Sequence, residues 1–222
     1  MLRVGLTGEM GSGKSTVARL LAQHGAVVLS SDEMGRAMMQ PGLPVYAAIV
    51  ASFGPSVVQP DGSLDRGELA RLAFDPQHPR VEELNTIVHP AVLGEQARQI
   101  AGFQHKNPDA IVVVESALIF SAKDHSTPWR DRFDAIVLVT ASEAIKVARF
   151  IQRSAAGREL SSQEHSALEA DAHARLARQA ITPSQAADCL VIENNADLPA
   201  LEAQVATLWQ ELQQYAIHNI DR

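Results

Sequence analysis

The run Gly8-Glu9-Met10-Gly11-Ser12-Gly13-Lys14-Ser15-Thr16 satisfies G-x-x-x-x-G-K-[ST] at every constrained position. Glycines at 8, 11 and 13 let the backbone wrap closely, so that successive N–H groups turn inward onto phosphate oxygens. A helix that begins at the end of such a run offers its positive N-terminal end to the same charge. In that setting Lys14 reaches the β- and γ-phosphates and the Ser15 hydroxyl ligates Mg2+. The run therefore implies a nucleoside triphosphate site made by Gly8, Gly11, Ser12, Gly13, Lys14, Ser15 and Thr16.

The flanking sequence supplies the strand and the helix that this reading requires. Residues 2–7 suit a short buried strand. Residues 15–24 place Val17, Leu20 and Leu21 at helical spacing, and Gly25 is a natural stop. A second strand at 26–29 ends at Ser30-Ser31-Asp32. From 33 to 102 no strand pattern is present, and helical pieces are separated by Pro41-Gly42, Gly54-Pro55, Asp61-Gly62, Pro76, Pro79 and Pro90. Near-continuous apolar runs return at 110–114 and 135–140, as in parallel strands covered on both faces. A Ser-capped helix follows at 142–151, then a polar, alanine-rich stretch at 153–185, a last strand at 189–192 and a closing helix at 198–215. This alternation predicts an α/β fold, a doubly wound parallel sheet of about five strands. Residues 1–32, 103–153 and 186–222 would form the nucleotide-binding core, with helical insertions at 33–102 and 154–185.

Composition narrows the function. A net charge of −7 over 222 residues, with 5% aromatic content, argues against a nucleic-acid or anionic-membrane partner, since both need a basic face. No apolar run approaches the roughly 18–20 residues of a membrane span. The single cysteine, Cys189, allows no internal disulfide, and residues 1–8 lack the form of a signal peptide, so a cytoplasmic protein is expected. The guanine-reading N-K-x-D motif is absent. An ATP-dependent small-molecule kinase is the expectation that remains.

Asp32 lies just past the second strand, and functional residues of parallel α/β sheets gather beyond the carboxyl ends of strands. Its carboxylate suits a base that takes the proton of an attacking hydroxyl. Ser-Ser-Asp is also good helix-capping chemistry, and on spacing alone the two readings stand level.

Over most of its length the chain resembles the dephospho-CoA kinase family. The likeness covers the phosphate loop, SSDEMGR (similar to a family Asp-Ala-Asp-x-x-x-Arg segment), and residues 41–74 with Phe53-Gly54, Asp61-Gly62, Leu64-Asp65-Arg66 and Phe74 in step. It continues through His89-Pro90 and ends with Gln179 and AAD…VIENN. The resemblance implies a P-loop kinase that uses Mg2+ and moves the ATP γ-phosphate to the 3′-hydroxyl of dephospho-CoA, giving CoA and ADP. Asp32 matches the family's base and Arg36 follows at the family's distance. Residues 33–102 would bind the acceptor, with His89 and Leu118 among its contacts, although His89-Pro90 equally suits orienting the next helix. Arg149 and Arg153 match arginines leading into a lid, 154–185, that closes over ATP; Asn194 is either near the adenine or a turn residue.

The chain also departs from the family. Glu115-Ser116-Ala117-Leu118-Ile119-Phe120-Ser121 stands where the family has Asp-x-Pro-Leu-Leu-Phe-Glu, which bears on how Glu115 assists Mg2+. Ser30 replaces an aspartate, Ser154 follows Arg153 in place of one, and the segment before Gln179 is longer by about ten residues. Two rival readings follow: a non-catalytic nucleotide-binding regulator on the same fold, or a P-loop kinase for another nucleoside. The sequence sets no oligomeric state.

Overall fold

The protein is described here by a computed structural model covering residues 1–120 and 129–218. In chain order the elements are β1 (Leu2–Thr7), α1 (Lys14–Gln23), β2 (Val27–Ser30), α2 (Ser31–Met38), α3 (Pro44–Phe53), α4 (Arg66–Ala73) and α5 (Val81–Lys106). They continue with β3 (Ile111–Glu115), α6 (Trp129–Arg132), β4 (Ala135–Thr140), α7 (Glu143–Ala155), α8 (Ser162–Arg178), α9 (Pro183–Ala186), β5 (Leu190–Glu193) and α10 (Leu198–His218). Contacts divide them into two compact units. One is made by Met1–Leu29, 104–120 and 129–218, the other by Ser30–Phe103.

The first unit is built on a five-stranded sheet of order β2-β3-β1-β4-β5. β1 runs parallel to both β3 and β4, and β4 to β5. The apolar runs account for this: Leu2, Val4 and Leu6 on β1 and Val112 and Val113 on β3 are fully buried, as strands covered on both faces must be. Val17, Leu20 and Leu21 of α1 and Leu201, Val205, Leu208 and Leu212 of α10 close over one face. Registers Leu6↔Glu115, Thr7↔Leu138 and Thr140↔Glu193 bring the carboxyl ends of β3, β1, β4 and β5 level, which is where such sheets carry their sites.

The second unit is helical, with a core of Val45, Ile49, Phe53, Val57, Leu64, Leu69 and Ala73. Among the described residues its extended pairing is an isolated antiparallel bridge, Val58↔Leu64, around the Asp61-Gly62 turn. Pro90 does not separate two helices as expected. α5 runs through it from Val81 to Lys106. A proline costs the helix one N–H bond, to the carbonyl four residues back; apolar contacts of Leu84, Ile87, Val88 and Ala91 with the unit's core hold the turns on either side. No helix among the described residues is long and apolar enough to cross a membrane.

Candidate active site

The site begins where β1 ends. Gly13 is the N-cap of α1 at φ 100, no side chain caps that helix, and its first turn carries no acid. No acid of α1 itself offsets the positive end of the helix, which suits it to an anion. Gly11 and Gly13 are required by space as well as by dihedral. A Cβ on Gly11 (φ +76) would sit 2.4 Å from the Lys146 carbonyl oxygen, and one on Gly13 would sit 2.2 Å from Asn194 Nδ2. The Ser12 hydroxyl is buried and has no hydrogen-bond partner among the described residues, an arrangement that suits a group that binds a ligand oxygen. Lys14 Nζ donates to the carbonyls of Gly8 (2.7 Å) and Glu9 (3.1 Å), so its ammonium lies inside the loop's curve. Thr16 occupies the first turn of α1, its N–H bonded to the Gly13 carbonyl at 3.0 Å.

Other elements hold the loop from behind. Asn194, at the end of β5, is buried and donates from Nδ2 to the Ser12 carbonyl at 2.8 Å, so it is more than the turn residue allowed for in the sequence. Arg149 of α7 donates to the carbonyls of Gly11 and Ser12 and to the Asn194 main-chain and side-chain oxygens, each at 3.3 Å. Gln179, the C-cap of α8, accepts from the Met10 N–H at 2.8 Å. Sequence reasoning missed Lys146, which pairs with Glu9. The available signal was a lysine on the α7 face otherwise made by Val147, Phe150 and Ile151. Asn194→Ala should take the shorter of two donors from the buried Ser12 carbonyl, leaving it only the 3.3 Å contact of Arg149, at a cost of about 1–3 kcal/mol. For a chain of this size we expect a melting temperature lower by about 2–10 °C, together with weaker ATP binding, readable by thermal melting with and without nucleotide.

Ser15 and Glu115 meet beside the loop: the Ser15 hydroxyl donates to Glu115 Oε1 at 2.7 Å. The β1–β3 register sets this approach, because Glu115 pairs with Leu6 of β1, just before Gly8. A hydroxyl and a carboxylate suit a hard divalent cation that keeps waters and phosphate oxygens as its other ligands. Among the described residues no cluster of three or more His, Cys, Asp or Glu forms a metal cage. Leu118, three residues on, is exposed, with its N–H bonded to Ser116 Oγ at 3.1 Å; Ser121 lies outside the described residues.

Arg153, in the last turn of α7, is exposed. Beyond it α8 opens with a capping box between Ser161 and Glu164, and Arg158 pairs with Glu164 at 2.9 Å. The Ser161 N–H and the Arg158 guanidinium hold the Glu164 carboxyl down to about 2. Cys189 donates to the Gln185 carbonyl at 3.1 Å, and burial, with the Asp188 charge, pushes its thiol up to about 11; it is no thiolate nucleophile at neutral pH.

In the helical unit, Asp32 stands in the first turn of α2. The capping reading of Asp32 is corrected: the Ser30 side chain accepts from the Glu33 N–H at 3.4 Å, which leaves the exposed Asp32 carboxylate without a capping role. Arg36 Nε donates to the Asp32 carbonyl at 3.0 Å, and Gln96 of α5 donates to Ser31 Oγ at 2.7 Å, fixing the start of the helix. His89 lies within α5, half-buried, and burial lowers its pKa against the opposing Glu82 charge. It therefore neither caps nor starts a helix.

A wrapped phosphate loop between β1 and α1, at the carboxyl end of a parallel sheet and beside a serine–carboxylate pair, defines a P-loop kinase. The family model for dephospho-CoA kinase matches residues 2–199. The chain belongs to the dephospho-CoA kinase family. It is 37% identical over 215 residues to a dephospho-CoA kinase of Moorella thermoacetica, covering 97% of this chain and 94% of that one. Against a dephospho-CoA kinase of Thermobifida fusca it is 36% identical, covering 96% and 97%. The crystal structure of TT1252 from Thermus thermophilus superposes with a TM-score of 0.68 at 30% identity, covering 95% of this chain and 97% of that one. A dephospho-CoA kinase from Campylobacter jejuni shares the fold, with a TM-score of 0.62 at 15% identity over 96% and 97% of the two chains.

Proposed function

We propose that this protein moves the γ-phosphate of ATP to the 3′-hydroxyl of dephospho-CoA, giving CoA and ADP. The observation that carries this reading is an intact phosphate loop, with Lys14 inside its curve and Ser15 against Glu115, in a chain matched by the dephospho-CoA kinase family from residue 2 to residue 199. It is an ATP-dependent kinase, and the last step of coenzyme A biosynthesis is its place. The reducing cytoplasm suits a chain with one cysteine.

Phosphoryl transfer of this kind is mostly positioning and charge stabilisation. The backbone N–H groups of Gly11, Gly13, Lys14 and Ser15 and the Ser12 hydroxyl receive the β- and γ-phosphates, and Lys14 turns from the loop carbonyls to the same oxygens. Arg153, exposed at the end of α7, meets the spread negative charge of the transition state as 154–185 closes and excludes water. Arg149 serves the same charge indirectly, by holding the loop carbonyls that it already contacts. Asp32 takes the acceptor's proton and aims its oxygen, with Arg36, His89 and Leu118 on the acceptor side. Residues 33–102 would bind the acceptor, and the exposed Asp32 carboxylate, outside the helix cap, and the match of SSDEMGR to the family's segment support that role.

Ser15 and Glu115 would hold Mg2+, which would supply positive charge against the phosphates. Glu115 orients the Ser15 hydroxyl by the hydrogen bond that it accepts at 2.7 Å. Glu115→Gln should raise the Mg2+ concentration for half-maximal rate by about 10-fold or more and leave the KM for dephospho-CoA unchanged, as a Mg2+ titration of the initial rate will show. The functional reading itself is tested by identifying the product. NMR of the dephospho-CoA reaction should show a new phosphomonoester coupled to the ribose 3′ proton; a phosphate at any other position contradicts the assignment.

A further inference from the structure

Lys146 is a charged side chain buried in the first unit, 8% exposed, on the face of α7 shared with Val147, Phe150 and Ile151. An ammonium in such surroundings is costly unless it is paired. Its partner is the Glu9 carboxylate, itself largely covered. Glu9 occupies a free position of the phosphate-loop motif, where nucleotide chemistry demands no particular side chain. Its carbonyl is meanwhile held by Lys14 at 3.1 Å, so residue 9 is gripped at both ends.

The neighbouring loop residues are tied to the same helices. The Met10 N–H bonds to Gln179 at the end of α8, and the Met10 side chain packs on the cluster of Val147, Phe150, Ile151, Ala172 and Leu176 between α7 and α8. Gly11 lies against the Lys146 carbonyl so closely that no Cβ fits. Lys146 thus meets the loop twice, through its ammonium at residue 9 and through its backbone at residue 11.

We propose that the Glu9–Lys146 ion pair is a positioning device for nucleotide binding. It fixes the peptide planes of residues 9–11 for the phosphates. It also neutralises an ammonium that would otherwise compete with Lys14 for them. Both are positioning residues, since each side chain is engaged by the other and acts through the loop backbone. The inference rests on the nucleotide reading of the loop but not on the identity of the acceptor.

The test compares Glu9→Gln, Lys146→Gln, the Gln/Gln double variant and Lys146→Arg, reading Mg-ADP affinity by calorimetry and KM for ATP and for dephospho-CoA by rate. Each Gln single variant should weaken Mg-ADP and raise the KM for ATP by about 10-fold or more, with the KM for dephospho-CoA held within about two-fold. The double variant should lose no more than the worse single, the signature of two residues acting as one, and Lys146→Arg should restore most of the affinity. Where a single variant is insoluble, the double variant carries the test. Mg-ADP affinity within about two-fold of the wild type, with only the melting temperature lowered, overturns the proposal, as does strict additivity of the singles. Because Mg-ADP binding needs no acceptor, its outcome is independent of whether dephospho-CoA is the substrate.

Discussion

Lys14→Ala lowers kcat by about 10³-fold or more, while the circular dichroism spectrum stays that of the parent. The ammonium lies within the loop, bonded to the Gly8 and Glu9 carbonyls, and is the cation best placed to follow charge as it develops on the transferring phosphoryl group. Its loss removes a stabilising contact made most strongly in the transition state, so kcat falls further than ATP affinity. The fold survives because α1 is held by Val17, Leu20 and Leu21 in the core, not by the lysine. A single-turnover assay separates the chemical step from binding. Near-normal turnover in this variant contradicts the phosphate-loop assignment.

Asp32→Asn lowers kcat by about 10²–10⁴-fold, with the KM for ATP little changed. Asparagine keeps the size of the side chain and removes the base. The alternative role, support of the α2 N-terminus, is taken by Ser30, whose side chain receives the Glu33 N–H. The melting temperature of Asp32→Asn should therefore match the parent within about 2 °C, since an exposed substitution away from a cap costs little. A loss of stability or of ATP affinity with kcat preserved would return Asp32 to a structural role.

What the sequence made legible follows from how local each signal is. The loop at 8–16 is readable because wrapping a phosphate constrains residue types within nine consecutive positions, between an apolar strand and a helix. The sheet is readable because both-face burial leaves continuous apolar runs at 2–7, 110–114 and 135–140. The groups that hold the loop are harder to find. Asn194 and Ser12 are 182 residues apart, and Lys146 and Glu9 are 137 apart. Such contacts exist only once β4, α7 and β5 are assembled beside β1. Proline at 90 carries a real local preference against helix, overridden here by apolar contacts along α5. Three polar residues in a row at 30–32 are equivalent as caps in sequence, and the backbone alone chooses Ser30.

The central claim, that the intact loop serves phosphoryl transfer to dephospho-CoA, is tested most directly by following ADP release from Mg-ATP. Dephospho-CoA, adenosine, AMP and shikimate are supplied as separate acceptors. The account predicts turnover with dephospho-CoA and none above the acceptor-free rate with the other three. Turnover with another acceptor in its place, or ATP binding with no acceptor-dependent release of ADP, would contradict it.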